Sequence, residues 1–166
     1  IRPAGFDKGS CRHDCRPTHD HPAGIPSVST IDEATLLAYL RCHYRVHGAA
    51  PFTLRIGERS EALAALCRQL RCDRAAFLSA WNPHGEPRDE GQNKRAQDAL
   101  QRELAARGHA CVPGIGEDPG GHWRGEESVL VAGMALDEAV AMALACGQNA
   151  LVWCGADARP QLILLR

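Results

Sequence analysis

Two hydrophobic periods alternate along this chain, and their alternation constrains its fold more than any other feature. Residues 52–56 alternate apolar and polar side chains, which is typical of a strand with one buried face. Between residues 63 and 70 the apolar side chains recur at spacings of three and four, which places them on one face of a helix. Segments of the two kinds succeed one another as far as residue 165, and this pattern predicts an α/β fold.

The predicted order is α-β-α-β-α-β-β-α-β-β. Helices are expected near residues 30–44, 60–70, 92–107 and 137–146, and strands near residues 52–56, 75–80, 109–112, 128–132, 149–154 and 161–165. Alternating helices and strands indicate a mainly parallel or mixed sheet. The last two strands are joined by a short turn, so they must pair antiparallel. The sequence therefore predicts a single-domain mixed sheet flanked by about four helices, with a C-terminal antiparallel β-β pair.

Residues 1–28 differ from the rest of the chain. They contain four prolines and no apolar periodicity, which indicates an extended N-terminal arm. Thr30 and Glu33 then match a capping box, in which each side chain satisfies a free amide at the start of a helix. We therefore expect an arm at 1–28 and an α/β domain at 29–166.

The charge balance excludes some classes of partner. The formal net charge of −1 does not indicate a nucleic-acid-binding surface. No apolar run approaches the ~18–20 residues that span a bilayer, and residues 1–22 carry charges where a signal peptide is hydrophobic. Cys67, Cys111, Cys146 and Cys154 lie in apolar patterns and are interpreted as core residues in a reducing compartment. We expect a cytoplasmic protein that does not insert into membranes.

Several short motifs share an order and spacing with a known family. They are Tyr39-Leu40-Arg41-Cys42-His43-Tyr44, Phe52-Thr53-Leu54-Arg55-Ile56-Gly57, Ser79-Ala80-Trp81-Asn82-Pro83, Asn93, Trp123, Glu126-Glu127-Ser128 and Gly147-Gln148-Asn149-Ala150. Over about residues 36–165 the chain resembles the bacterial family catalogued as domain of unknown function 3293. Thr is usual in that family where this chain has Cys42 and Ser79. The resemblance implies a shared fold and shared positions, and it implies no reaction.

Carboxamides and carboxylates follow several of the predicted strands and helices. The candidate ligand-binding residues are Asn82, Asn93, Glu126, Glu127, Gln148 and Asn149, with Trp81 and Trp123 as walls. Neighbouring residues on a strand point to opposite faces, so only one of the two glutamates can serve a given cleft. Pro83 favours an extended backbone at Asn82. The alternative is that the amides are structural, as turn, helix-start or clamp residues.

The arm contains a possible metal site. Cys11, Cys15, His19 and His21, with His13 between them, are ligand types that zinc prefers. The alternative is a His-rich tail with incidental affinity for metal.

Three functional hypotheses follow. The first is a cleft, binding or catalytic, for a small polar molecule. The second is a non-enzymatic interaction factor whose arm, residues 1–28, docks on a protein partner, with or without zinc. The third is that neither the candidate amides nor the arm has a function, and that the domain acts through another surface. No nucleophile elbow, P-loop, dinucleotide-binding turn or HExxH helix is present in the sequence, so the reaction, if there is one, stays open.

Overall fold

A computed structural model describes residues 31–166, and it contains four helices, a short 3-10 turn and seven strands. In chain order these are α1 (Glu33–Arg41), β1 (His43–Val46), β2 (Phe52–Leu54), α2 (Glu61–Leu70), β3 (Ala75–Leu78), the turn Pro83–Gly85, α3 (Glu90–Ala106), β4 (Cys111–Glu117), β5 (Glu126–Ala132), α4 (Leu136–Ala145), β6 (Ala150–Cys154) and β7 (Pro160–Leu164). The α/β class, the four helices and the C-terminal β-β pair are confirmed.

The seven strands form one sheet in the order β2-β1-β4-β5-β3-β6-β7. Every pairing within it is antiparallel, which differs from the mainly parallel or mixed sheet expected from the sequence. The physical reason lies in the connections. Helices α2, α3 and α4 each join two strands that run in the same direction, but other strands lie between them in the sheet, so no two parallel strands are hydrogen-bonded to each other.

The described residues build two core clusters, one on each face of the sheet. On the first face, Leu63 and Cys67 of α2 pack against strand residues that include Leu130 and Cys154. On the second face, α3 and α4 cover β3, β5 and β6 through side chains such as Leu104. The sheet is therefore the middle of three layers.

Helix α2 follows the expected local rules. Its N-cap is Ser60, at the predicted start of the helix, and Ser60 Oγ accepts a hydrogen bond of 3.2 Å from the backbone amide of Leu63. It ends at Arg71, which adopts the left-handed conformation. Its buried residues are Leu63 and Cys67, so it covers the part of the first face near Ala75 and Cys154. The rest of that face, around Phe77, is left for other segments to cover.

Four features of the helices and strands differ from expectation. Strand β1 was not predicted, and β4 continues to Glu117, beyond residue 112 where the sequence predicted its end. The N-cap of α4 is Ala135, so this helix begins before residue 137, where the sequence predicted its start, and Asp137 lies in the first helical turn. The N-cap of α1 is Asp32, whose side chain accepts from the amide of Thr35, while Thr30 of the predicted capping box lies outside the described residues.

Candidate functional site

The uncovered part of the first face forms the floor of a cleft with a volume of about 470 Å³. Strand β5 contributes Glu126 and Ser128 to this floor, and the adjacent strand β4 contributes Gly116, which is paired in register with Glu126. Tyr44 and Phe77 complete it, with ring centroids 5.5 Å apart in an edge-to-face arrangement. Because Gly116 has no side chain, the floor is open above it.

Three loops and one helix form the walls. The segment after β3 supplies Trp81, Asn82 and His84, the loop before β5 supplies Trp123, and the loop before β6 supplies Gln148 and Asn149. Helix α1 closes the remaining side with Thr35, Ala38 and Tyr39. Six of the eight candidate residues therefore line one cavity, although they lie far apart in the sequence.

Asn93 does not line the cleft. It is 2% exposed, and its side chain makes two hydrogen bonds with Asn82. The backbone N–H of Asn82 donates to Asn93 Oδ1 at 2.9 Å, and Asn93 Nδ2 donates to the side-chain Oδ1 of Asn82 at 2.8 Å. A further contact runs from Asn93 Nδ2 to the carbonyl of Arg88 at 3.3 Å. Asn93 is thus a structural amide that fixes the segment after β3 to the start of α3, and its expected place in the cleft is corrected.

Glu127 lies on the other side of β5 from Glu126. Its side chain is 44% exposed and lies 3.4 Å from the ammonium of Lys94. The alternation of the strand is the reason, since Glu126, Ser128 and Leu130 face the first face of the sheet and their neighbours the second. The cleft therefore holds one of the two carboxylates.

Asn82 orients that carboxylate. Its Nδ2 donates a 2.8 Å hydrogen bond to Glu126 Oε1, while its Oδ1 accepts from Asn93 and, at 3.1 Å, from the amide of Arg88. The backbone of Asn82 is left-handed, with φ 45° and ψ 60°, so the extended conformation expected before Pro83 is wrong. Asn tolerates this region better than most residues, and the amide contacts on both sides of Asn82 keep it there.

Burial governs the ionisation of the cleft. It raises the pKa of Glu126, and the hydrogen bond from Asn82 lowers that pKa only in part. Burial also raises the pKa of Tyr39 and raises the pKa of the Cys42 thiol to about 12. Cys42 is therefore protonated at neutral pH and is not an activated nucleophile.

The other two candidate amides differ in their freedom to bind a ligand. Gln148 Nε2 donates to the carbonyl of Trp81 at 3.0 Å, so part of its capacity is used to join two walls of the cleft. The side chain of Asn149 lies close to the Tyr39 hydroxyl. Among the described residues it has no other side-chain hydrogen bond, which leaves most of its donors and acceptors available.

Sequence reasoning missed Tyr39, Cys42 and Tyr44 as lining residues. Tyr39 is held by α1, and the Tyr44 hydroxyl donates to the Tyr39 carbonyl at 2.8 Å. All three lie in the first motif that resembles the family, and membership of that motif is the sequence feature that could have identified them as lining residues. Their polar atoms were not singled out because β1, which carries Tyr44 to the floor, was not recognised.

The described residues contain no group of three or more His, Cys, Asp or Glu side chains that could hold a metal ion. The zinc ligands expected at Cys11, Cys15, His19 and His21 lie outside the described residues, as does the arm at 1–28. Docking of that arm on a partner therefore stays a prediction. Within residues 31–166 no helix is long and apolar enough to cross a membrane.

These features define an α/β domain with an antiparallel sheet and a polar cleft between that sheet and α1. Residues 78–151 match the model of a family described as "Protein of unknown function (DUF3293)". The resemblance drawn from the motifs is thereby confirmed over that segment, which includes Asn82, Glu126 and Gln148; the first two motifs lie outside it. No curated protein and no solved structure matches the chain.

Proposed function

We propose that the cleft binds a small polar molecule and that this binding is the function of the domain. The observation that carries the proposal is the state of Glu126, a largely buried carboxylate on the floor of a cavity. Its Oε1 accepts from Asn82, and among the described residues its Oε2 has neither a hydrogen-bond donor nor an ion-pair partner. Burial deprives this carboxylate of part of its hydration, and a hydrogen-bond donor on a ligand would replace the water that it has lost.

The size and lining of the cleft agree with this proposal. A volume of about 470 Å³ lies in the range of small-molecule sites. Tyr44, Phe77 and Trp81 offer apolar contact area, while Asn149 and Glu126 offer hydrogen bonds at defined positions. Such a lining suits a heterocycle, a sugar or an amide-bearing compound better than a polyphosphate. A cytoplasmic location stays a prediction from the sequence.

Gly116 provides the test because a side chain there would occupy the cleft. A Cβ at this position would lie 3.6 Å from Cys42 Sγ and 3.9 Å from Tyr44 Cδ1, which are ordinary contact distances. Gly116→Val should therefore fold normally, since Val suits a strand, and should reduce the volume available to a ligand.

Native mass spectrometry of protein purified without added ligand would detect a retained small molecule. Chemical-shift titration with uracil, glucose and nicotinamide would then compare the wild type with Gly116→Val. We expect shifts at the cleft in the wild type that are lost in the folded variant. Absence of a retained molecule and of any probe-induced shift at the cleft in the wild type would contradict the proposal.

A further inference from the structure

The charge of Glu126 has no counterion in the cleft that the structure describes. The nearest polar contact is the neutral amide of Asn82, and no charged neighbour contributes to the pKa of the carboxyl group. Asp32 and Arg166 are the other charged residues among the described lining. Asp32 caps α1 through Thr35, and the guanidinium of Arg166 contacts Nδ1 of His84.

The groups that face Glu126 from neighbouring elements do not supply positive charge. Tyr39 from α1, Cys42 between α1 and β1, and Tyr44 from β1 are all uncharged at neutral pH, because burial raises the pKa of each. Ser128, next to it on the same face of β5, uses its hydroxyl to donate to the carbonyl of Glu126 at 3.0 Å. Among residues 31–166, Glu126 therefore accepts a hydrogen bond from a neutral amide and forms no ion pair.

Aromatic rings surround the same space. Tyr39, Tyr44, Phe77, Trp81 and Trp123 all line the cleft, so its rings come from five separate segments of the chain. The faces of such rings attract cations, and the attraction is strongest where water is excluded. The carboxylate on the floor and the aromatic rings around it therefore both favour a positively charged group.

We propose that the ligand of this cleft carries a flat organic cation, of the amidinium, guanidinium or protonated aminoheterocycle class, which pairs with Glu126 and lies against the aromatic rings. The proposal rests on the proposed function and specifies the ligand class of that site. A planar cation with two N–H donors can bond a carboxylate oxygen while its ring packs on a neighbouring ring. Such a ligand would form with Glu126 the ion pair that no described residue forms with it.

Two probe molecules of nearly the same shape can distinguish the effect of ligand charge on binding from the effect of ligand shape. Benzamidine and benzamide are both flat and of nearly equal size, and at neutral pH only benzamidine is cationic. We expect benzamidine to bind at least about tenfold more tightly than benzamide, as a charge-assisted pair with a buried carboxylate requires. Binding would be followed through the indole N–H signals of the three tryptophans. Trp153 is an internal control, because its Nε1 donates to the Met134 carbonyl on the second face of the sheet.

Glu126→Gln removes the charge and keeps an oxygen that can accept from Asn82. In this variant the preference for benzamidine should fall to about one, with benzamide binding little changed. Glu127→Gln is the matched control, since it changes the neighbouring carboxylate on the opposite face and should leave the preference intact.

The outcomes separate the two proposals. Equal binding of both probes by the wild type, or a preference that survives in Glu126→Gln, would overturn the cationic class and leave the cleft as a binding site for a neutral molecule. Binding of neither probe would also overturn the cationic class. The retained-ligand measurement and the Gly116→Val titration would then decide the proposed function independently.

Discussion

Asn82 joins three segments that are distant in the sequence. Its side chain contacts Glu126 at the start of β5 and Asn93 in the first turns of α3, and its backbone turns the chain after β3. One residue therefore both shapes a wall of the cleft and sets the position of the carboxylate below it. The sequence singled out Asn82 as a candidate, but the direction of its side-chain amide depends on partners 11 and 44 residues away, which no local pattern contains.

Replacement of Asn93 measures how much the paired amides stabilise the fold. In Asn93→Ala the backbone N–H of Asn82 loses its acceptor, and the side-chain Oδ1 of Asn82 loses one of its donors, both within a largely buried site. Unfolding in urea should show a loss of about 2–3 kcal/mol in the free energy of unfolding. The control is Gln92→Ala, an exposed neighbour on α3, which should change that free energy by less than about 0.5 kcal/mol. Equal stability of the two variants would contradict a structural role for Asn93.

Glu126 and Glu127 illustrate what can be predicted at this scale. The period of a strand predicts that adjacent carboxylates face opposite ways, and they do. Which of them enters the cleft depends on the register of β5 with β4 and on the empty position at Gly116. Both are features of the tertiary structure, so the sequence could indicate that one of the two glutamates enters the cleft but could not indicate which one.

Among the elements, β4 departs most from its sequence pattern. Its glycines and proline resemble a loop, yet residues 111–117 pair with β1 on one side and β5 on the other. Gly114 shows why a strand here requires glycine, because a Cβ would lie 2.6 Å from the Arg45 carbonyl oxygen and 2.7 Å from the Phe77 ring. Glycine occurs here because neighbouring atoms leave no space for a side chain, whereas glycine in a sequence is usually interpreted as a turn residue. Helices with clear apolar faces, such as α2, were predicted well because their period is local.

The end of α2 offers a test at the scale of an element. Arg71 is exposed and left-handed, with φ 55° and ψ 42°, a conformation that glycine adopts without steric penalty. Arg71→Gly should raise the free energy of unfolding by about 0.5–1 kcal/mol. Arg68→Gly, at an exposed position within the last helical turn, should lower it by about 1 kcal/mol. Thermal or urea unfolding of both variants would reveal the opposite signs, and a loss of stability in both would refute this account of the helix end.

At the scale of the whole molecule, two core clusters share one sheet. Leu63 belongs to the cluster on the first face and Leu104 to that on the second, and both are 0% exposed. Strands β3 and β5 contribute alternate residues to each cluster, so neither cluster can be lost while the strands stay packed. The described domain is therefore expected to unfold as one unit.

Truncation of the two leucines tests this coupling. Leu63→Ala and Leu104→Ala should each reduce the free energy of unfolding by about 2–5 kcal/mol, and in the double variant the losses should add to within about 0.5 kcal/mol. Urea unfolding followed by tryptophan fluorescence and by circular dichroism should give coincident transitions in every variant. Separate transitions for the two probes would mean that the faces unfold independently.

Helix α1 has no buried residue, although it forms one side of the cleft. Its exposed side chains include Leu37 and Leu40, and Tyr39 ties it to the floor by accepting from the Tyr44 hydroxyl. Helices α2, α3 and α4 each have buried residues, so α1 is the helix that contributes least to the two core clusters. We therefore expect the amides of α1 to exchange hydrogen with solvent at a small fraction of the global unfolding free energy, and under the proposed function this local opening would let a ligand enter and leave while the sheet stays folded.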